Sequence, residues 1–105
     1  MMKGVIQMTI NSEQNENKMT LHVEGRLDTI TSPELEKTIN DFPAEITELT
    51  IDMKEVEYIS SAGLRVLLAA QKKMSKIGSM KVTNVCEAVM SVLEMTGFAD
   101  ILVIE

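Results

Sequence analysis

The hydrophobic pattern of this chain changes period repeatedly, from two to near 3.6 and back, and nothing else constrains its fold as much. Residues 5 to 10 alternate, with Ile6, Met8 and Ile10 on one side and Gln7 and Thr9 on the other. That is the period of a half-buried strand. The polar run NSEQNENK, residues 11 to 18, reads as a surface loop. Alternation resumes with Leu21, Val23 and Leu27 against His22, Glu24 and Arg26, so the two strands make a hairpin.

A helix follows. Ser32 is placed to cap it, Pro33 suits its first position, and Glu34 and Glu36 favour the positive end of its dipole. Leu35, Ile39 and Phe42 share one face, and Pro43 marks the exit. Leu49, Ile51 and Met53 alternate as a third strand. Val66, Leu67, Ala70, Met74 and Ile77 then form a second helical stripe, closed by a basic turn and Gly78. Met80 and Val82 begin a short strand. Asn84 and Glu87 resemble a capping box, ahead of a third helix striped by Val85, Val89, Val92 and Leu93 and ended by Gly97. The apolar run ILVIE suits a buried last strand. The expected order is β-β-α-β-α-β-α-β over a single domain, residues 1–105. Strands joined by single helices favour parallel crossovers, so the fold class is α/β, one mixed sheet covered by helices.

Composition narrows the function. A net charge of −6 argues against general nucleic-acid binding, which needs a basic patch to displace counterions, and against an anionic membrane surface. No stretch approaches the roughly 18 apolar residues of a membrane span, and the start lacks a secretory signal, so a cytoplasmic protein is expected. The single cysteine, Cys86, excludes an intramolecular disulfide and reads as a small packed residue. With only 3% aromatics the core rests on Leu, Ile, Val and the nine Met.

One stretch stands out: Tyr58 to Leu68, YISSAGLRVLL. Ser60 or Ser61 can cap the helix that follows, worth ~1 kcal/mol. Gly63 in a first helical turn costs about 1 kcal/mol relative to alanine, which makes sense where backbone or a partner comes close. N–H groups at a helix start tolerate a dianionic phosphate. A phosphoserine there would add about −1.5 to −2 charges beside Asp28 and Glu57. Nucleophilic catalysis lacks a base: the only histidine, His22, falls on the polar side of a strand, and no catalytic residues are assigned. Phosphate-binding glycine loops are absent, so no nucleotide cofactor is expected. One histidine and one cysteine far apart make zinc implausible. The carboxylates Asp28, Asp52, Glu55 and Glu57 near strand ends read as solvated charges rather than a magnesium site.

The segments IDMKEVEYISSAGLRVLLAAQKKM and VEGRLDTITSPEL resemble the two recurrent motifs of STAS domains, in particular bacterial anti-sigma factor antagonists. The likeness runs over essentially the whole chain and includes the element order. In that family the helix-start motif commonly reads Asp-Ser-Ser/Thr-Gly-Leu, and its first serine is phosphorylated by an anti-sigma factor that is a serine kinase. Matching Gly63 and Leu64 to that Gly-Leu puts the acceptor at Ser61, with Ser60 as the alternative and Asp28 as the accompanying aspartate. Ser60 replaces the aspartate usual before the acceptor, and Ala62 replaces the second hydroxyl residue. The resemblance implies a non-enzymatic partner switch that binds the kinase when unphosphorylated and is reset by a phosphatase. Its partner surface would comprise Asp28, Thr29, Ser60, Ala62, Gly63 and Arg65. A STAS-like structural subunit of a transport or signalling complex is the alternative, and a small serine hydrolase the weakest reading.

Overall fold

The computed structural model describes residues 8–105. The element order is β1 (Met8–Asn15), β2 (Lys18–Leu27), α1 (Ser32–Asn40), β3 (Glu48–Ile59), α2 (Ser61–Ile77), β4 (Ser79–Thr83) and α3 (Glu87–Thr96), followed by a short 3₁₀ turn at Phe98–Asp100. The four strands stand in the order β1-β2-β3-β4. β1 pairs antiparallel with β2, while β2–β3 and β3–β4 are parallel.

Both parallel crossovers step the same way across the sheet, so the right-handed rule puts α1 and α2 on one face. There they pack on each other through Ile39, Val66 and Ala70, and Lys73 Nζ donates to the Ile39 carbonyl at 3.1 Å. Between the helices and the sheet, Leu67 and Met74 of α2 and the strand residues Leu21, Val23, Leu49, Ile51 and Met53 are essentially sealed from solvent. Val89 and Leu93 of α3 join the same core. The opposite face keeps Thr20, His22, Glu24, Thr50 and Asp52 in contact with water, as an antiparallel-edged sheet allows.

The α/β class and the single mixed sheet are as expected, and several boundaries are not. Of the first strand, residues 5 to 7 lie outside the described residues. The expected loop at 11 to 18 is mostly strand: β1 runs on to Asn15 and turns over Glu16 and Asn17, with Glu16 at φ 57°. Residues Asn11 to Asn15 are exposed, so this edge strand has no apolar side to alternate. β3 extends beyond Met53 to Ile59 because two bulges each place an extra β3 residue opposite β2. Met53, Val56 and Ile59 are therefore buried at a spacing of three, which hides the strand from a period-two reading.

The cap of α1 is Thr31, not Ser32. Ser32 is the first helical residue, with its Oγ buried and without a partner among the described residues. Asn84 and Glu87 form no capping box: Asn84 sits at φ 57° and gives its Nδ2 to Asp52. Cys86 is the helix-flanking residue, and its thiol donates to the Val56 carbonyl at 3.4 Å. Ile77, expected on the apolar stripe, is about half exposed in the last turn of α2. The last strand shrinks to one parallel bridge, Val82 to Ile104, because the 3₁₀ turn consumes the chain before it. Gly97 ends α3 in the left-handed region, as expected of it.

His22 carries a pH dependence. Its Nδ1 lies 2.8 Å from Asp52 and its Nε2 2.5 Å from Glu13. Carboxylates only accept, so both contacts are complete only when the ring holds both protons. The hydrogen bond that the ring donates to Glu13, then the one to Asp52, raises the His22 pKa above its ordinary 6.5. This contribution is full below pH 6.5 and is lost as pH rises through the higher folded value. Thermal midpoints should therefore fall between pH 6 and pH 8.5, and His22→Gln should flatten that fall. An equal slope in His22→Gln would show that the cluster contributes nothing.

Candidate functional site

The carboxyl ends of adjacent parallel strands meet at one end of the sheet, and the loops leaving them are tied together. Leu27 pairs with Ile59, and the Ser60 N–H donates to the Leu27 carbonyl at 2.9 Å. The loop after β2, with Asp28 and Thr29, therefore lies alongside the Ser60–Ser61 step into α2.

Each loop is held by its own side chains. Asp28 Oδ1 accepts from the N–H groups of Ile30 at 3.0 Å and Thr31 at 3.1 Å. The Thr31 hydroxyl donates to the Arg26 carbonyl at 2.6 Å and accepts from the Asp28 N–H at 2.9 Å. The Thr31 N–H is the main cause that holds the Asp28 carboxyl below the usual range, so it stays ionised. In the second loop Ser60 is the cap of α2: extended at φ −103° and ψ 177°, its Oγ accepts from the Gly63 N–H at 3.5 Å. Ser61 is the first helical residue and is exposed. Its hydroxyl and the N–H groups of Ser61 and Ala62 have no partner among the described residues.

Gly63 is buried, and the reason lies inside the protein. A Cβ there would stand 2.8 Å from Leu27 Cγ and 2.9 Å from both Ile59 Cγ1 and the Leu27 carbonyl oxygen. The close approach inferred from the sequence is thus that of β2, and Gly63 offers no side chain to a partner. Thr29, Ala62 and Arg65 line one open groove of about 370 Å³ between the start of α1 and α2, with Pro33 and Glu36 on its other wall. Asp28 and Ser60 border the junction of the two loops. The expected surface residues are therefore gathered at one end of the molecule, with Gly63 beneath.

Two residues at this end escaped the sequence reading. The Arg26 guanidinium lies 4.2 Å from the centre of the Tyr58 ring, and its Nε is 3.6 Å from Asp28 Oδ2. Both are substantially exposed, and Ile30, in the loop that Asp28 ties, is 73% exposed. Arg26 was legible as a polar-side strand residue, and Tyr58 only as the start of the stretch that enters α2. Their pairing depended on the bulged register, which no local pattern reveals. His22 is remote: it pairs with Asp52, on the order of 20 Å along β3 from Ser60 at the usual strand rise. It cannot serve Ser61 as a base.

Residues 9–105 match the STAS domain family model. The anti-sigma-B factor antagonist of Bacillus subtilis (strain 168) is 29% identical over 96 residues, covering 90% of this chain and 88% of that relative. Among solved structures, an anti-sigma factor antagonist from Mycobacterium paratuberculosis aligns with a TM-score of 0.83 at 28% identity, over 92% of this chain and 84% of that one. The unphosphorylated form of SpoIIAA, at 14% identity, shares the fold with a TM-score of 0.79 over 92% of this chain and 88% of that one.

Proposed function

The chain belongs to the STAS domain family, and from that premise we propose that it is an anti-sigma factor antagonist switched by phosphorylation of Ser61. Unphosphorylated, it binds an anti-sigma factor that is also a serine kinase, and a sigma factor is freed. Phosphorylated, it releases the kinase, and a phosphatase restores it. In the forward step the γ-phosphoryl group of a nucleoside triphosphate held by the kinase passes to Ser61 Oγ. The new O–P bond replaces the bond to the departing diphosphate, and the hydroxyl proton leaves to the kinase or to water.

The observation that carries this reading is the division between the two serines. Ser60 spends its oxygen on the Gly63 N–H, whereas Ser61 presents an exposed, unengaged hydroxyl at the positive end of a 17-residue helix. The free N–H groups of Ser61 and Ala62 suit the added charge, so the helix need not melt. What changes is the surface, which becomes strongly anionic next to Asp28. No covalent chemistry of the chain's own is required; the relatives are named as antagonists, and His22 lies far from Ser61. A chain of this kind works in the cytoplasm, where sigma factors are, and among the described residues no helix is long and apolar enough to cross a membrane.

Ser61→Ala should abolish transfer of labelled phosphate from the cognate kinase, while Ser60→Ala should keep it and lose about 1 kcal/mol of stability with the cap. Label persisting in Ser61→Ala and vanishing in Ser60→Ala would move the acceptor to Ser60. Co-purification with a transporter ATPase in place of a kinase would instead favour the structural-subunit role.

A further inference from the structure

Arg26 enters the sheet opposite Tyr58, two residues short of Ser60 along the neighbouring strand. Its side chain reaches toward the loop end: the guanidinium covers the Tyr58 ring at 4.2 Å and extends Nε to 3.6 Å from Asp28 Oδ2. Asp28 follows Leu27, whose carbonyl accepts the Ser60 N–H, so the loop that holds the carboxylate partner of Arg26 is tied to the Ser60–Ser61 step. The Asp28 pair is long and off the bidentate geometry that makes Arg–carboxylate contacts strong, and Asp28 Oδ1 is committed to Ile30 and Thr31. Arg26 is thus ordered by an aromatic face while its donors remain largely unspent.

We propose that Arg26 is an intramolecular receiver for a phosphoryl group on Ser61, drawn from Asp28 and off the Tyr58 ring when that group is attached. It rests on the reading of Ser61 as acceptor. A phosphate offers more charge and more acceptor oxygens than the Asp28 carboxylate, and it fits the planar fork of an arginine. The competing cation is Arg65, one helical turn beyond Ser61 and exposed, which the (i, i+4) spacing would also bring near. No hydrogen bond or ion pair orders Arg65 among the described residues, so it loses more side-chain freedom on engaging the phosphate. The consequence is that the modified state has two marks: a negative Ser61 and a Tyr58 ring uncovered at the same end of the molecule.

The experiment uses the full chain with phosphoserine encoded at position 61, so that no kinase is needed. Tyr58 is the only tyrosine and the chain has no tryptophan, so tyrosine emission reports that ring alone. Phosphorus NMR against pH should show the second phosphate ionisation lower by about half a unit to one unit than in Arg26→Ala, with Arg65→Ala close to wild type. Tyr58 emission should change on phosphorylation in the wild type and not in Arg26→Ala. Arg26→Lys should keep part of the ionisation shift. Equal midpoints in wild type and Arg26→Ala, or a shift lost only in Arg65→Ala, would overturn the assignment. A kinase that ignores Ser61 while the Arg26 shift persists would sink the switch and leave this coupling standing.

Discussion

Gly78→Ala is expected to lower the unfolding free energy by about 3 kcal/mol, at the upper end of what overpacking usually costs. The backbone between α2 and β4 passes so close to the start of β3 that a Cβ on residue 78 would lie 1.8 Å from the Thr47 carbonyl oxygen and 2.7 Å from its carbon. Those are main-chain atoms, and no rotamer change relieves them. The same carbonyl accepts the Ser79 N–H at 2.9 Å, and the Gly78 N–H closes α2 on Met74 at 2.7 Å. Moving the segment aside therefore disturbs the end of a helix and the first rung of β4 together. For a domain of this size the melting midpoint should fall by roughly 12 to 20 °C. Chemical denaturation read by circular dichroism measures it. A loss below about 1 kcal/mol would mean that the connection shifts freely, contrary to the packing described.

The largest functional effect is expected from Ser61→Asp, which should weaken binding to the cognate anti-sigma kinase at least about tenfold, or about 1.4 kcal/mol. Ser61 is exposed and faces any partner that covers the Ser60–Asp28 junction. A partner shaped for a neutral hydroxyl meets a carboxylate whose hydration is stripped on docking and not replaced, and such an unpaired charge is costly. Aspartate carries less charge than phosphoserine, so the figure is a lower bound for the modified protein. Ser61→Ala removes only the hydroxyl and leaves the Ser60 cap intact, so its affinity should stay within about threefold of wild type. Isothermal titration with the purified kinase separates the two variants, and equal affinities for Ser61→Asp and wild type would remove the charge-based switch.

Legibility in the sequence followed burial. Leu35 and Ile39, then Val66, Leu67, Ala70 and Met74, then Val89 and Leu93, each lie on one helical face and in the core, so the helices could be read from their spacing. The strands were legible only where one face is covered. β1 loses its pattern after Ile10 because both sides of an edge strand meet water, and β3 loses its pattern at its bulges. The motif around Ser61 was readable because helix-start chemistry is local. Which of its two serines caps α2 was not, since either oxygen could reach a neighbouring N–H, and the extended backbone of Ser60 makes it the cap. Thr31 displaced Ser32 as the flanking residue for a similar reason: the Asp28 turn fixes where α1 can begin. The Arg26–Tyr58 stack depends on strands far apart in sequence and had no local signal at all.

The strand order β1-β2-β3-β4 has a kinetic consequence. Every strand pairs with its immediate predecessor in the chain, so no early segment waits for a distant one before it can add to the sheet. Each step closes only the loop made by one hairpin or one crossover helix, whose entropic cost grows slowly with length. Mixed α/β domains with such nearest-neighbour wiring belong to the middle of the folding-rate range rather than its slow end. Growth outward from the β2–β3 pair, where the bulged register of the Arg26 and Ser60 ends is also set, would assemble the end of the molecule that carries Asp28 and Ser61 with the first of its long-range contacts.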